Sequence, residues 1–414
     1  MTQLADSIQI RNTTFKNRII KGAMSEALAN DAGQPNQAHF KLYEAWAEGG
    51  LGCAITGNVM VDYRAKNEPG VVVVERERDL AQLKVWADVG KQHGMVQLVQ
   101  LSHPGRQCPK GLNQETVAPS AVPFSPALAM SFGTPRELRE DEILDIIQRF
   151  ATSAAICEKA GFEGVQLHGA HGYLISQFLS PLTNKRQDQW GGSIENRTRF
   201  LLQTYQAVRA ATSENFIISV KLNSADFQRG GISEEDVIYV FKAMDAAGID
   251  IIEVSGGSYE APAMAGVKAD KRKASTIARE AYFLDFAEKI RQEVKCHIMV
   301  TGGFRTVEGM NAALDSGACD FFGIARPFAV EPDLGNRLVA GHDARYAGEK
   351  LKTGIPMFDK MAIMEIIWYA AQFKEIAKGK QPNPKLSPLK VFLQYLKGNV
   401  KAVIKGQLNS RKSA

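Results

Sequence analysis

Apolar positions along this chain switch repeatedly between two periods. Five times a stretch with apolar residues at helical spacing halts at glycine, and a continuous apolar run begins within a few residues. These junctions are "AEGGLGCAIT", "KQHGMVQLVQL", "EKAGFEGVQLH", "AAGIDIIEVS" and "DSGACDFFGIA". Glycine suits the left-handed position that stops a helix, and an uninterrupted apolar run suits a parallel strand covered on both faces. The helices carry start signals as well. In "SEEDVIYVFKAMDAAG", Ser233 and Asp236 make a capping box, and Val237, Val240, Phe241 and Met244 then fall on one face. Similar stripes mark 79–94 and 141–161.

The apolar runs predict eight strands, near 18–24, 51–60, 95–101, 162–168, 215–222, 249–255, 297–302 and 320–325. A helix follows each, the last a short one. Alternation sustained eight times predicts an α/β chain closed into a (β/α)8 barrel. An open doubly wound sheet would need a G-x-G-x-x-G turn after an early strand, and the sequence has none. The spacing places the barrel at 1–340 and a helical, Lys-rich C-terminal extension at 341–414. Loops that follow strands lie at the barrel's C-terminal mouth, where the chemistry of this architecture sits. The longer ones are 102–138 and the stretch after strand four.

Composition narrows the picture. With 414 residues, 45% hydrophobic and 23% charged, the chain is ordinary for a globular protein. The net charge is +5, yet from Lys374 onward ten basic residues face one acid, so the body is mildly acidic and the basicity belongs to the tail. That argues against a nucleic-acid-binding body. The N-terminus "MTQLADSIQI" lacks a signal-peptide pattern, and no apolar stretch is long enough for a transmembrane helix. Cys53, Cys108, Cys157, Cys296 and Cys319 are scattered and never form C-x-x-C. A cytoplasmic location is expected, with neither a disulfide framework nor an iron–sulfur site.

If the barrel forms, the residues ending its strands converge on one mouth. They are Ala23–Met24–Ser25, Gly57, Gln100, His168 with His171 and Tyr173, Lys221, Ser255–Gly256–Gly257, Gly302–Gly303 and Ala325–Arg326. The last two loops, "TGGFRT" and "GIARPF", occupy the position where many barrels hold a phosphate. Gly302 and Gly303 let backbone N–H groups approach an anion, and Arg326 supplies a planar guanidinium fork. Separately these could be turn residues and a surface ion pair; at one location they favour phosphate. Lys221 closes a buried strand and needs a negative partner there. Asp226 is one candidate, and charge developing on a cofactor ring is another. Gln100 offers an amide that donates and accepts in one plane, either to a heterocycle's edge or within the core. For His168 and His171 three readings stand side by side. They could share Zn²⁺, although no third ligand stands out; they could be satisfied by loop carbonyls; or both could hydrogen-bond a substrate oxygen that gains charge, with Tyr173 as proton donor.

The stretch "HGAHGYLISQFLSPLTNKRQDQWGGSIENRTRFL" closely resembles the signature loop of the Old Yellow Enzyme family, the NADH:flavin oxidoreductase group of FMN-dependent ene-reductases. "NRIIKGAMSEA", "VQLSHPGRQ", "VKLNSADF", "VTGGFRT" and "GIARPF" match in the family's order, so the resemblance runs from about residue 4 to 338. It implies a (β/α)8 barrel with one FMN held non-covalently at the mouth and NADH or NADPH as reductant. Ala23, Met24 and Ser25 would lie along the flavin, Gly57 and Gln100 at its ring, and Lys221 near N1 and the C2 carbonyl. Gly302, Gly303, Ala325 and Arg326 would hold the phosphate. His168 and His171 would bind the carbonyl of an activated alkene, and Tyr173 would protonate carbon.

The alternatives are an NAD(P)H oxidase serving a nitro compound or quinone, and a metal-dependent barrel hydrolase. Ser25 stands where relatives often carry Thr or Cys, Lys221 where many carry Arg, and Ala27 where some bacterial relatives place Tyr. No cysteine follows Cys319, which disfavours the larger iron–sulfur relatives. The tail's basic amphipathic pattern suits packing on the barrel or across a homo-oligomer interface better than an anionic membrane surface.

Overall fold

The structure, a computed structural model, describes residues 2–226, 228–256, 283–346, 351–355 and 363–397. Eight parallel strands form its centre: β1 Ile19–Lys21, β2 Cys53–Ile55, β3 Val96–Ser102, β4 Gly164–Gly169, β5 Ile217–Asn223, β6 Ile251–Ser255, β7 His297–Thr301 and β8 Phe321–Ile324. Each pairs in parallel with the next, and β8 pairs with β1, so the sheet closes on itself as a (β/α)8 barrel. An antiparallel hairpin, Ile8–Ile10 with Thr13–Phe15, precedes β1. Ile10, Phe15, Ile20, Ile55, Leu98, Ile217 and Phe321 form a separate apolar cluster inside the ring.

Around the barrel run α1 Gln37–Glu48, α2 Leu80–Lys91, α3 Glu140–Ala160, α4 Ile194–Ala211, α5 Glu234–Ala247, α6 Leu284–Arg291 and α7 Val307–Asp315. The glycine stops behave as the pattern requires: Gly161 ends α3 at φ +98° and Gly248 ends α5 at φ +91°. The α5 start differs in one detail from the sequence expectation. Ser233 accepts from the Asp236 backbone N–H, but the Asp236 carboxylate turns away to Arg197 at 2.8 Å instead of completing the box. Edge-on rings run from α1 through α2 to the start of β4: Tyr43 to Trp46 within α1 at 5.1 Å, Tyr43 to Trp86 at 5.2 Å, and Trp86 to Phe162 at 5.6 Å. Such pairs each add roughly 0.5–1.5 kcal/mol beyond the burial of their area.

Past β8 come a short helix, α8 Leu334–Val339, and α9 Ile363–Ile376. α9 lies against the barrel, with Phe373 edge-on to Trp46 at 5.4 Å. The chain then folds back on α9. Trp368 Nε1 donates to the Leu386 carbonyl at 2.8 Å, Gln372 and Asn383 exchange two 2.8 Å bonds, and Val391 and Phe392 are buried. Gly257 and the rest of 257–282, like the tail beyond 397, lie outside the described residues. Among the described residues no helix is long and apolar enough to cross a membrane.

Candidate active site

One cavity of about 220 Å³ opens at the C-terminal ends of the strands. Ala23, Met24, Ser25, Gln100, His168, His171, Tyr173, Lys221, Gly302, Gly303, Ala325 and Arg326 all line it. Gly57 stands behind the wall. Its N–H donates to Glu26 Oε1 at 3.0 Å, and a Cβ there would meet the Met24 carbonyl oxygen at 2.6 Å, so only glycine lets the two segments pack. Asn58 takes the wall position beside it.

His168 is the penultimate residue of β4 and lies edge-on to His171, with ring centroids 5.2 Å apart, and 4.5 Å from Tyr173. Burial, reinforced by the Lys221 charge, holds both imidazoles well below their ordinary pKa, so both are neutral near pH 7. The Ala170 N–H points at His168 Nδ1 at 3.3 Å, which leaves Nε2 as the protonated nitrogen and a hydrogen-bond donor. His171 has φ +58°, a left-handed conformation that costs a side-chain-bearing residue about 1–3 kcal/mol. Three contacts hold it there. Its N–H donates to Asn223 Oδ1 at 3.2 Å, its carbonyl accepts from Gln107 Nε2 at 2.7 Å, and its Nε2 sits 2.8 Å from Ser255 Oγ. The Tyr173 oxygen lies 3.2 Å from Asn67 Nδ2 and 3.4 Å from Asn58 Nδ2. Both amide nitrogens donate to the phenol oxygen, which accepts them with its lone pairs and keeps its own proton to give.

Below these side chains lies a fully connected polar chain. Gln100 Nε2 donates to Gln166 Oε1 at 2.8 Å, and Gln166 Nε2 donates to Glu253 Oε2 at 2.8 Å. Glu253 Oε1 accepts from Lys221 Nζ at 2.8 Å and from Thr301 Oγ1 at 2.7 Å. Glu253 is therefore the carboxylate facing Lys221, not Asp226. Asp226 instead accepts from Ser180 Oγ at 2.8 Å and from Asn223 and Ile232 at 3.2 Å.

At the other end of the cavity, Gly302 and Gly303 adopt φ +111° and +97°. Arg326 shares this end with a second guanidinium, Arg305. Glu365 from α9 pairs with Arg326 at 3.4 Å, and Ile366 and Tyr369 add to the same wall.

A sequence model of the NADH:flavin oxidoreductase / NADH oxidase family matches residues 3–344. The chain belongs to this family. It is 38% identical over 351 residues to an NADH-dependent flavin oxidoreductase, iliE, of Hypocrea jecorina, covering 80% of this chain and 87% of the relative. Its fold is similar to an Old Yellow Enzyme homologue from Zymomonas mobilis, with TM-score 0.71, 26% identity and coverage of 82% and 93%. It is also similar to a 2-naphthoyl-CoA reductase, with TM-score 0.77 and 25% identity over 90% of this chain. The chain spans 58% of that larger enzyme's length. As a member of the family this protein is an oxidoreductase that uses FMN, with a reduced nicotinamide as electron source.

The cavity's donors suit that cofactor. Two guanidinium groups and a Gly–Gly turn at one end match a phosphate, while Gln100, Lys221 and the thin Ala23–Ser25 segment match a flat heterocycle. Among the described residues no three His, Cys, Asp or Glu side chains come together to hold a metal ion. Several cavity residues escaped the sequence reading. Arg305 sits two positions past Gly303 inside the quoted "TGGFRT", so its signal was present. Asn58 and Thr301 had only their positions beside strand ends. Glu365, Ile366 and Tyr369 had no signal, because nothing in the local pattern says which barrel end α9 covers.

Proposed function

We propose that this flavin oxidoreductase reduces activated alkenes, with His168 and His171 holding the substrate's carbonyl and Tyr173 delivering a proton to the α-carbon. FMN, when bound, would supply the redox chemistry, the exchange of a hydride equivalent between NAD(P)H and the alkene's β-carbon. Gly302, Gly303, Ala325 and Arg326 hold the phosphate, Ala23, Met24 and Ser25 lie along the flavin, Gly57 supports the ring site from behind Met24, and Gln100 and Lys221 meet the ring. The Tyr173 phenol would give its proton to the α-carbon, where the alkene's π pair forms the new C–H bond, and solvent would reprotonate the phenolate. The two imidazoles stabilise the charge that builds on the carbonyl oxygen meanwhile.

The observation that carries this reading is the trio itself: two neutral imidazoles, one with its Nε2–H donor fixed, set beside a phenol held by two amides. A neutral imidazole donates to a carbonyl without the desolvation penalty of a buried cation. Anaerobic reduction with NADH or NADPH, then reoxidation by 2-cyclohexenone, tests it. Tyr173→Phe should slow reoxidation about 100-fold, the lower range for a general acid. If Tyr173→Phe and the parent reoxidise alike, Tyr173 is not the donor. If the parent ignores enones but turns over with quinones or nitro compounds, the oxidase alternative holds.

A further inference from the structure

The chain Gln100–Gln166–Glu253 has a direction, and an anion sets it. A carboxylate only accepts hydrogen bonds, whereas a primary amide donates from one side and accepts on the other. Glu253 is fully buried and takes three donors: Lys221, Thr301 and Gln166. Gln166, also fully buried, must therefore turn its NH2 toward Glu253 and its oxygen toward Gln100. The opposite orientation would set a carbonyl oxygen against the carboxylate. Gln100 must in turn give an Nε2 proton to Gln166, which fixes its own amide and leaves Oε1, with the second Nε2 proton beside it, as the edge it offers the cavity.

Strand register makes the chain possible. Gln100 and Gln166 are Cα partners across β3 and β4, and Lys221 and Glu253 are partners across β5 and β6. All four side chains therefore occupy neighbouring levels of the ring.

We propose that Glu253 is a positioning residue for cofactor recognition, which acts through Gln166 to lock Gln100 so that an acceptor followed by a donor faces the flavin's pyrimidine ring. That order complements an imide edge, whose N–H meets the amide oxygen and whose neighbouring carbonyl meets the amide N–H. Lys221 cannot set this order, because an ammonium touches neither amide. Its place is on the other carboxylate oxygen, 2.8 Å away, where it is one of the three donors that Glu253 accepts. The proposal rests on Gln100 meeting the flavin ring.

The test measures dissociation constants by quenching of flavin fluorescence on addition of apoprotein. FMN is compared with N3-methyl-FMN, which lacks the imide proton. The parent protein should prefer FMN strongly. Glu253→Gln removes the anion and lets both amides turn over. Gln166→Met cuts the relay while leaving the Lys221 and Thr301 contacts to Glu253 in place, so it reads the same property if Glu253→Gln folds poorly. In either variant the FMN constant should rise about tenfold while the N3-methyl-FMN constant changes little, so the preference falls about tenfold. A general loss of packing would weaken both flavins alike and keep their ratio. A ratio unchanged in both variants overturns the relay. If the parent itself does not discriminate, Gln100 does not meet the imide, and the ring placement beneath the proposal fails first.

Discussion

Replacing Lys221 by methionine isolates the most consequential charge in the cavity. The Lys221 ammonium lies 2.8 Å from Glu253 Oε1, and the exposures of the two side chains are 5% and 0%. Methionine fills similar volume, so packing changes little. The Glu253 carboxylate keeps Gln166 and Thr301 but loses its only cation within bonding distance among the described residues. Breaking a buried pair by removing one partner costs about 3–5 kcal/mol. Against a total near 5–15 kcal/mol, that is a large fraction. Urea unfolding of the apoprotein, followed by tryptophan fluorescence, should therefore show a clear fall in midpoint. A second readout belongs to the cofactor. If Lys221 meets the flavin where reduction places negative charge, its loss removes a charge-assisted bond worth about 1.5–3 kcal/mol to the reduced form. For a two-electron couple this lowers the potential by about 30–60 mV. Lys221→Arg keeps the charge and should recover most of both effects. A stability loss below about 1 kcal/mol would refute the claim that the pair is desolvated. An unchanged potential would refute the placement of Lys221 at the ring.

Acid should destabilise the fold through its buried histidines. Burial pushes His103 down to about 4, so between pH 6.5 and 4 the unfolded chain binds a proton that the folded chain refuses, and stability falls as pH falls. The loss is about 1.4 kcal/mol per pH unit, or about 3 kcal/mol across the window. His103→Asn should flatten that part of the urea-midpoint profile, and an unchanged slope counts against it. His39, His168 and His171 are shifted in the same direction, chiefly by burial, and add to the trend. At the other end of the cavity, Glu365 faces the Arg326 that is to meet a phosphate. Glu365→Gln removes a competing anion and should tighten FMN binding several-fold, with the gain shrinking in high salt; weaker binding would mean that the carboxylate helps. Asn67→Ala removes one amide from the Tyr173 oxygen and should slow enone-driven reoxidation about tenfold relative to reoxidation by a quinone, because a phenolate is a stronger acceptor than a phenol. Equal slowing with both acceptors would assign Asn67 a packing role.

The sequence by itself determined the barrel and the wall of its mouth. Helical stripes stopped by Gly161 and Gly248, each followed by an apolar run, impose strand–helix alternation, and eight repeats close the ring. Once it closes, every strand ends at the same rim, so Gln100, His168, Lys221, Gly302 and Arg326 meet in one cavity although 226 positions separate the first from the last. Only the tertiary structure decided how they are wired. Lys221 faces Glu253 and not the nearby Asp226, because the register of β5 against β6 puts Lys221 and Glu253 at one level, and sequence distance carries no information about register. The direction of the Gln100–Gln166–Glu253 chain, the left-handed turn at His171 and the entry of Glu365 from α9 arise in the same way. Each is fixed by contacts between segments that local spacing cannot relate. Periodicity encodes which face of an element is buried, while the partner waiting there is set by how the elements are stacked.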